Sequence, residues 1–117
     1  MAFKFESLQV WQRALDLTED VDSLTKRSFP KEETNILTSQ IKRAADSVVL
    51  NIAEGCTGQS NAVFKQFLGY ALRSAIEVVS CLFIGKRRKI INDTDFQKLY
   101  EDYQALCKMI TALRNTL

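Results

Sequence analysis

The 117-residue chain has no histidine. That absence removes Ser-His-Asp and Cys-His catalysis and every His-ligated metal site. Cysteine is sparse: Cys56, Cys81 and Cys107 make an odd count, with no CxxC pair. A disulfide framework and a zinc site are both disfavoured by that pattern. Neither a P-loop nor a GxGxxG stretch is present, so no ready-made cradle for a nucleotide phosphate is encoded. Each apolar stretch is interrupted by charge before the roughly 18 residues that suggest a membrane span. The N-terminal Ala2-Phe3-Lys4-Phe5-Glu6 lacks the apolar core of a secretion signal. These absences set the expectations: a cytoplasmic protein, no membrane partner, no metal, no cofactor, no small-molecule substrate and no catalytic residues.

Apolar residues make up 46% of the chain and charged residues 26%. This is ordinary for a folded globular domain, and the length suits one domain over residues 1–117. Helical periodicity accounts for nearly all of it. A first helix is expected over about 7–27, with Ser7 as N-cap and Val10, Ala14, Leu17, Val21 and Leu24 as its apolar seam. Phe29-Pro30 breaks the pattern. Pro30 suits a first helical position, with Glu32 and Glu33 complementing the helix N-terminus. The second helix, about 30–55, carries Leu37, Ile41, Ala44, Val48 and Ile52, and stops at Gly55 as a left-handed terminator. Ser60 caps a third helix, about 60–88, with Phe64, Leu68, Ala71, Ala75, Val78 and Leu82. Asn92 or Asp93 caps the fourth, about 93–115, with Phe96, Leu99, Tyr103, Leu106, Ile110 and Leu113. Four amphipathic helices on short loops predict an all-α, antiparallel up-down-up-down four-helix bundle. Cys81 and Cys107 fall among apolar residues as small buried thiols. Cys56 falls in a predicted loop, where it would be exposed.

Three constellations lie off the seams. Gln40, Ser47, Asn51 and Glu54 share one face of the second helix, with Arg43 at its margin. Phe67, Tyr70, Ser74, Glu77 and Cys81 form a similar stripe on the third. Together they fit a buried polar network, Arg43 or Asn51 with Glu77, that fixes helix register or subunit contacts. A solvated face beside the core is the alternative. In this reading Asn51 and Glu54 are structural. The second constellation is charge. Residues 60–91 hold six basic side chains and one acidic, net +5, while each of the other three segments is net −1. Lys65, Arg73 and Arg87 fall within about 80° of arc, roughly opposite the apolar seam, and Lys86-Arg87-Arg88-Lys89 ends the helix. A basic helix end complements the helix dipole. Four consecutive basic residues go beyond that need and suit phosphate backbones. The third constellation, Leu8, Trp11 and Leu15, lies about 130° from the seam. It reads either as a wide bundle face or as a subunit interface.

Several runs resemble the bacterial four-helix-bundle proteins that include those encoded within intervening sequences of 23S rRNA genes. They are Leu8-Gln9-Val10-Trp11-Gln12-Arg13-Ala14, Phe29-Pro30-Lys31-Glu32-Glu33, and the stretch from Leu37 through Gln40 and Ala45 to Gly55. Phe64, Phe67-Leu68, Ala71, Ser74 and Glu77 continue the match. The resemblance covers roughly residues 3–84. It implies an up-down bundle assembling as a homopentamer, related to accessory proteins of diversity-generating retroelements that bind nucleic acid and a reverse transcriptase, and it implies no enzymatic activity. The chain departs from the family pattern at Gly58-Gln59, where Gly-Arg is usual, at Arg73-Ser74, where Gly-Ser is usual, and at Asn35-Ile36. An arginine at position 73 is expected to prevent the closest helix approach. The function that follows is a non-catalytic, oligomeric accessory protein binding RNA or DNA. The alternative is a homo-oligomeric scaffold that binds another protein without nucleic acid.

Overall fold

A computed structural model describes residues 2–117. Four α-helices carry the fold: α1 (Gln9–Ser28), α2 (Ser39–Gly55), α3 (Asn61–Arg87) and α4 (Asp93–Asn115). Each seam residue named above is buried except Phe64 and Leu113, which are half-buried against the same core. At about 1.5 Å per residue α3 spans about 40 Å, matching the 43 Å long axis of the molecule.

The termini of the helices show where local chemistry acts. The Val63 amide donates to Ser60 Oγ at 3.1 Å and the Asp95 amide to Asn92 Oδ1 at 2.7 Å, so both expected caps form. Ser7 does not cap α1. It lies in a single 3₁₀ turn, Lys4–Ser7, and its hydroxyl donates to the Lys4 carbonyl. The stretch after Pro30 is also wound differently from the expectation. A 3₁₀ turn at Lys31–Glu33 leads into a wide π-helical turn at Thr34–Thr38, and regular α geometry starts only at Ser39. The Glu33 carboxylate accepts the Leu37 amide inside that turn. Leu37 thereby reaches the core while Ile36 stays outside.

Cross-helix pairs fix the topology. Along α2 and α3 the partners run Arg43–Glu77, Ser47–Ser74 and Gly55–Phe67, one number rising as the other falls. Along α1 and α4 they run Arg13–Asp102, Asp20–Lys98 and Arg27–Asp95. Along α3 and α4 they run Lys65–Arg114, Phe83–Tyr100 and Lys86–Asp93. All three pairs are antiparallel, so α1 and α2 are too. Asp22 bridges those two by accepting from Lys26 at 2.8 Å and Lys42 at 2.9 Å, and these hydrogen bonds hold its carboxyl below the usual range. The result is the antiparallel up-down-up-down four-helix bundle.

Gly55 was expected in a left-handed conformation. It is instead the last helical residue of α2, and the left-handed glycine is Gly58, φ 84°. What Gly55 supplies is space: a Cβ there would lie 2.6 Å from Phe67 Cβ on α3. Gly85 has the same function under Ile91. Arg73 does not hold the helices apart, because it is exposed and Ser74 is the residue that meets α2. The apolar character of α3 also exceeds the sequence expectation. Among the described residues it is the one helix long and apolar enough to cross a membrane, even with Arg73 and Glu77 inside the stretch, and 39% of that stretch is buried inside the bundle. Packing against α2 and α4 uses part of that surface, while Ile76, Phe83 and Ile84 stay exposed.

Two consequences are measurable. Gly55→Ala drives a methyl into Phe67 Cβ and is expected to cost about 1–3 kcal/mol. Gly69→Ala meets only the end of the Arg114 side chain, at 3.4 Å, and gains up to about 1 kcal/mol of helix propensity; urea midpoints of the two variants should move in opposite directions. Tyr103 is buried among apolar residues, and its hydroxyl has no hydrogen-bond partner among the described residues. Burial, with Asp20 and Asp46 adding repulsion, pushes its phenol well above the usual 10.0. The unfolded chain therefore loses this proton first, and stability falls as pH rises above 10.0. Tyr103→Phe should be neutral or stabilising at pH 7 and should flatten that alkaline loss in urea titrations.

Candidate nucleic-acid interface

The two polar stripes meet along the α2–α3 seam. Glu77 Oε2 accepts from Arg43 Nη2 at 2.6 Å and from Gln40 Nε2. One helical turn on, Ser74 Oγ donates to Ser47 Oγ at 2.9 Å. Asn51 Nδ2 donates to the Ser47 carbonyl at 2.8 Å and to its hydroxyl at 3.1 Å. The expectation of a buried network is thus corrected. Ser47, Asn51 and Ser74 are half-buried, but the Arg43 and Glu77 side chains keep 60% and 32% of their surface exposed. Asn51 bonds to its own helix and does not reach Glu77. Glu54 is exposed and makes no hydrogen bond among the described residues.

This seam bears on the basic face of α3. Glu77 is the helix's one carboxylate, and it is engaged with Gln40 and Arg43 on the flank toward α2. The outward face keeps Lys65, Arg73 and Arg87 exposed, and none has a carboxylate partner among the described residues. The six basic residues do not form one cluster. Lys65 and Arg87 are about 33 Å apart along the axis, with Arg73 between them. Arg114 of α4 joins the Lys65 end, its Nε donating to the Lys65 carbonyl at 3.0 Å. The sequence reading missed this cation because it belongs to a segment of net negative charge.

At the other end Lys86 and Arg87 close α3, and Arg88 and Lys89 form the turn beyond it. The Lys89 amide donates to the Lys86 carbonyl at 3.0 Å and the Ile90 amide to the Gly85 carbonyl at 2.8 Å. Lys89 takes the left-handed position, φ 62°, in a Schellman-type terminus that usually carries glycine. Two of the four cations are loosely tied, Lys86 to the exposed Asp93 and Arg88 to Glu33, each at 3.8 Å. Such long pairs are weak in water. The Lys86 ammonium also lies 4.4 Å from the centre of the Phe96 ring. Arg87 and Lys89 have no acidic partner among the described residues. The tetrad, with Phe83 and Ile84, lines an open groove of about 700 Å³.

The first-helix patch is partly absorbed inside the subunit. Leu8 and Trp11 are half-buried against the core, and the Trp11 ring packs on Phe5 at 4.7 Å. Leu15 remains 39% exposed. Cys56, expected to be exposed, is buried; it directly follows the last residue of α2, its amide donating to the Ile52 and Ala53 carbonyls. Burial pushes the Cys81 thiol up, with Glu77 adding to it, and burial pushes the Cys107 thiol up as well, so both stay protonated and unreactive at neutral pH. Among the described residues no cluster of three or more Cys, Asp or Glu side chains is arranged to hold a metal.

An antiparallel four-helix bundle with a polar α2–α3 seam and a basic helix end defines the class of protein. The chain belongs to the 23S rRNA-intervening sequence protein family, whose model matches residues 6–112. A crystal structure of a protein with unknown function from the S23 ribosomal protein family of Bacteroides thetaiotaomicron VPI-5482 has the same fold. Its TM-score is 0.83 at 24% identity, covering 91% of this chain and 95% of that one. No curated protein is significantly similar in sequence. The family has no defined role, and neither match indicates a catalytic family.

The seam's structural contribution is separable by mutation. Ser47→Ala should cost about 1 kcal/mol, and adding Ser74→Ala should cost little more, since the shared hydrogen bond is already gone. Glu54→Ala should stay within about 0.5 kcal/mol of the parent. Denaturant midpoints of the single and double variants check all three.

Proposed function

We propose that the chain is a non-catalytic, homo-oligomeric accessory protein of the cytoplasm that binds RNA or DNA through the basic face of α3. The observation that carries this reading is the segregation of charge. The only carboxylate of α3 is held on the flank toward α2 by Gln40 and Arg43, and Lys65, Arg73 and Arg87 on α3, with Lys89 in the turn beyond it, have no acidic partners among the described residues. A surface of that kind releases counterions from a phosphate backbone.

The oligomer is the homopentamer that the family resemblance implies. The Asp22–Lys42 pair sets the register of α1 against α2. Seven residues further along each helix, Leu15 comes level with Val49, beside the exposed Leu50. With Leu8 and Trp11 this makes one apolar strip along α1 and α2, suited to a neighbouring subunit. Repetition around a ring multiplies a basic face that is modest on one chain of net charge +2. The second reading, a scaffold that binds another protein, draws on the exposed Ile36 and Ile76, which lie outside that strip.

Light scattering with absorbance at two wavelengths in the same run should give about five times the 13.3 kDa chain mass, with nucleic acid carried along. Retardation of RNA or DNA should weaken steeply as salt rises. Changing Lys86, Arg87, Arg88 and Lys89 together to glutamine should abolish most of it. Unaltered binding by that variant overturns the basic-end assignment. An oligomer that binds no nucleic acid at low salt favours the scaffold, and a bare monomer overturns both readings.

A further inference from the structure

Beside the basic tetrad, α3 leaves apolar surface open to solvent. Phe83 is 53% exposed and Ile76 62% exposed. Seven residues apart, they share one face, and Arg87 joins it one turn beyond Phe83. The Phe83 ring is held in place. It meets Phe96 edge-on at 4.9 Å and Tyr100 at 6.0 Å, while Phe96 and Tyr100 stack on each other at 5.7 Å. Three rings from two helices thus form an aromatic shelf, and the shelf borders the groove that the four basic residues line.

Each feature alone is ambiguous. Cations suit any phosphate backbone, and an exposed ring suits any apolar surface. A partner matching both must present a flat aromatic face and a negative charge within a few ångströms of each other. An unpaired nucleotide does so, whereas in a duplex each base face is covered by its neighbours. We propose that the end of α3 binds single-stranded nucleic acid, with a base stacked on Phe83 and the adjoining phosphates on Arg87 and Lys89. The proposal rests on the nucleic-acid reading above and adds strandedness to it. Stacking on a phenyl face is tolerant of base identity, so the site selects unpaired strands rather than a sequence.

The test is fluorescence anisotropy of the full chain with one labelled oligonucleotide of mixed sequence, used as a single strand and annealed into a duplex, over a salt series. Electrostatics alone favours the duplex, which carries the denser charge. The expected result is therefore diagnostic: the single strand binds tighter. Phe83→Leu keeps the apolar bulk without the ring and should weaken single-strand binding roughly tenfold, leaving the duplex affinity and both salt slopes unchanged. Phe83→Tyr keeps the ring and should keep the preference, which separates stacking from damage to the fold. Arg87→Gln with Lys89→Gln should weaken both forms and flatten the salt dependence. Equal binding of the two forms, or a Phe83→Leu variant that weakens both alike, overturns the stacking proposal and leaves the nucleic-acid reading standing. Absence of binding by either form overturns both.

Discussion

The close approach of α2 and α3 is the constraint on which the rest depends. Gly55 has no side chain, so the end of α2 can settle directly on Phe67. Helix backbones that near each other let short side chains reach across, and Ser47 and Ser74 do so at 2.9 Å. The same registration carries Gln40 and Arg43 onto Glu77 about one turn further along α3. A bulkier residue at position 55 would widen the gap first at Phe67, and then along the seam to where the hydroxyls meet. Packing here determines a polar pattern, and the polar pattern determines an electrostatic one.

That electrostatic consequence reaches the opposite face of α3. An exposed carboxylate on the outward side would neutralise part of the basic ridge. Glu77 lies instead on the flank toward α2, where an arginine and a glutamine occupy it, so the outward side is left to Lys65, Arg73 and Arg87. The end of the helix adds a further element. The Schellman-type turn places Lys89 in a left-handed conformation, at a cost of about 1 kcal/mol or more relative to glycine, and the chain then turns so that Ile91 lies over Gly85. A local strain at a charged residue, kept where glycine would relieve it, fits a position whose side chain has a use in solvent.

Reactive and charged side chains are distributed unevenly over this bundle. Its thiols at Cys81 and Cys107 are held protonated by burial, and its carboxylates are dispersed over the surface, half of the 14 paired with lysine or arginine. What is concentrated is positive charge, at one helix end, beside an aromatic shelf built from α3 and α4.

Most of the fold was legible in the sequence, because a helix places residues on faces by arithmetic. The four seams, the caps at Ser60 and Asn92 and the family resemblance all follow from spacing and residue type. The errors share one cause. Gly55 was read as a terminator from its position in the sequence, Cys56 as exposed from its place in a loop, and Glu54 as a member of a stripe from its angle. Each judgement used the residue's own position in the chain, and the packed structure differs: Phe67 lies over Gly55, Cys56 is buried at the end of α2, and Glu54 faces solvent. The same holds for the site. Sequence alone determined that positive charge gathers in residues 60–91. Only the tertiary structure decided that Glu77 takes Arg43 and Gln40 rather than Asn51, that Arg114 joins the far end of that charge, and that Phe83 stands half-exposed on Phe96 and Tyr100. Periodicity assigns a side chain to a direction, but which neighbour waits in that direction depends on how four helices pack.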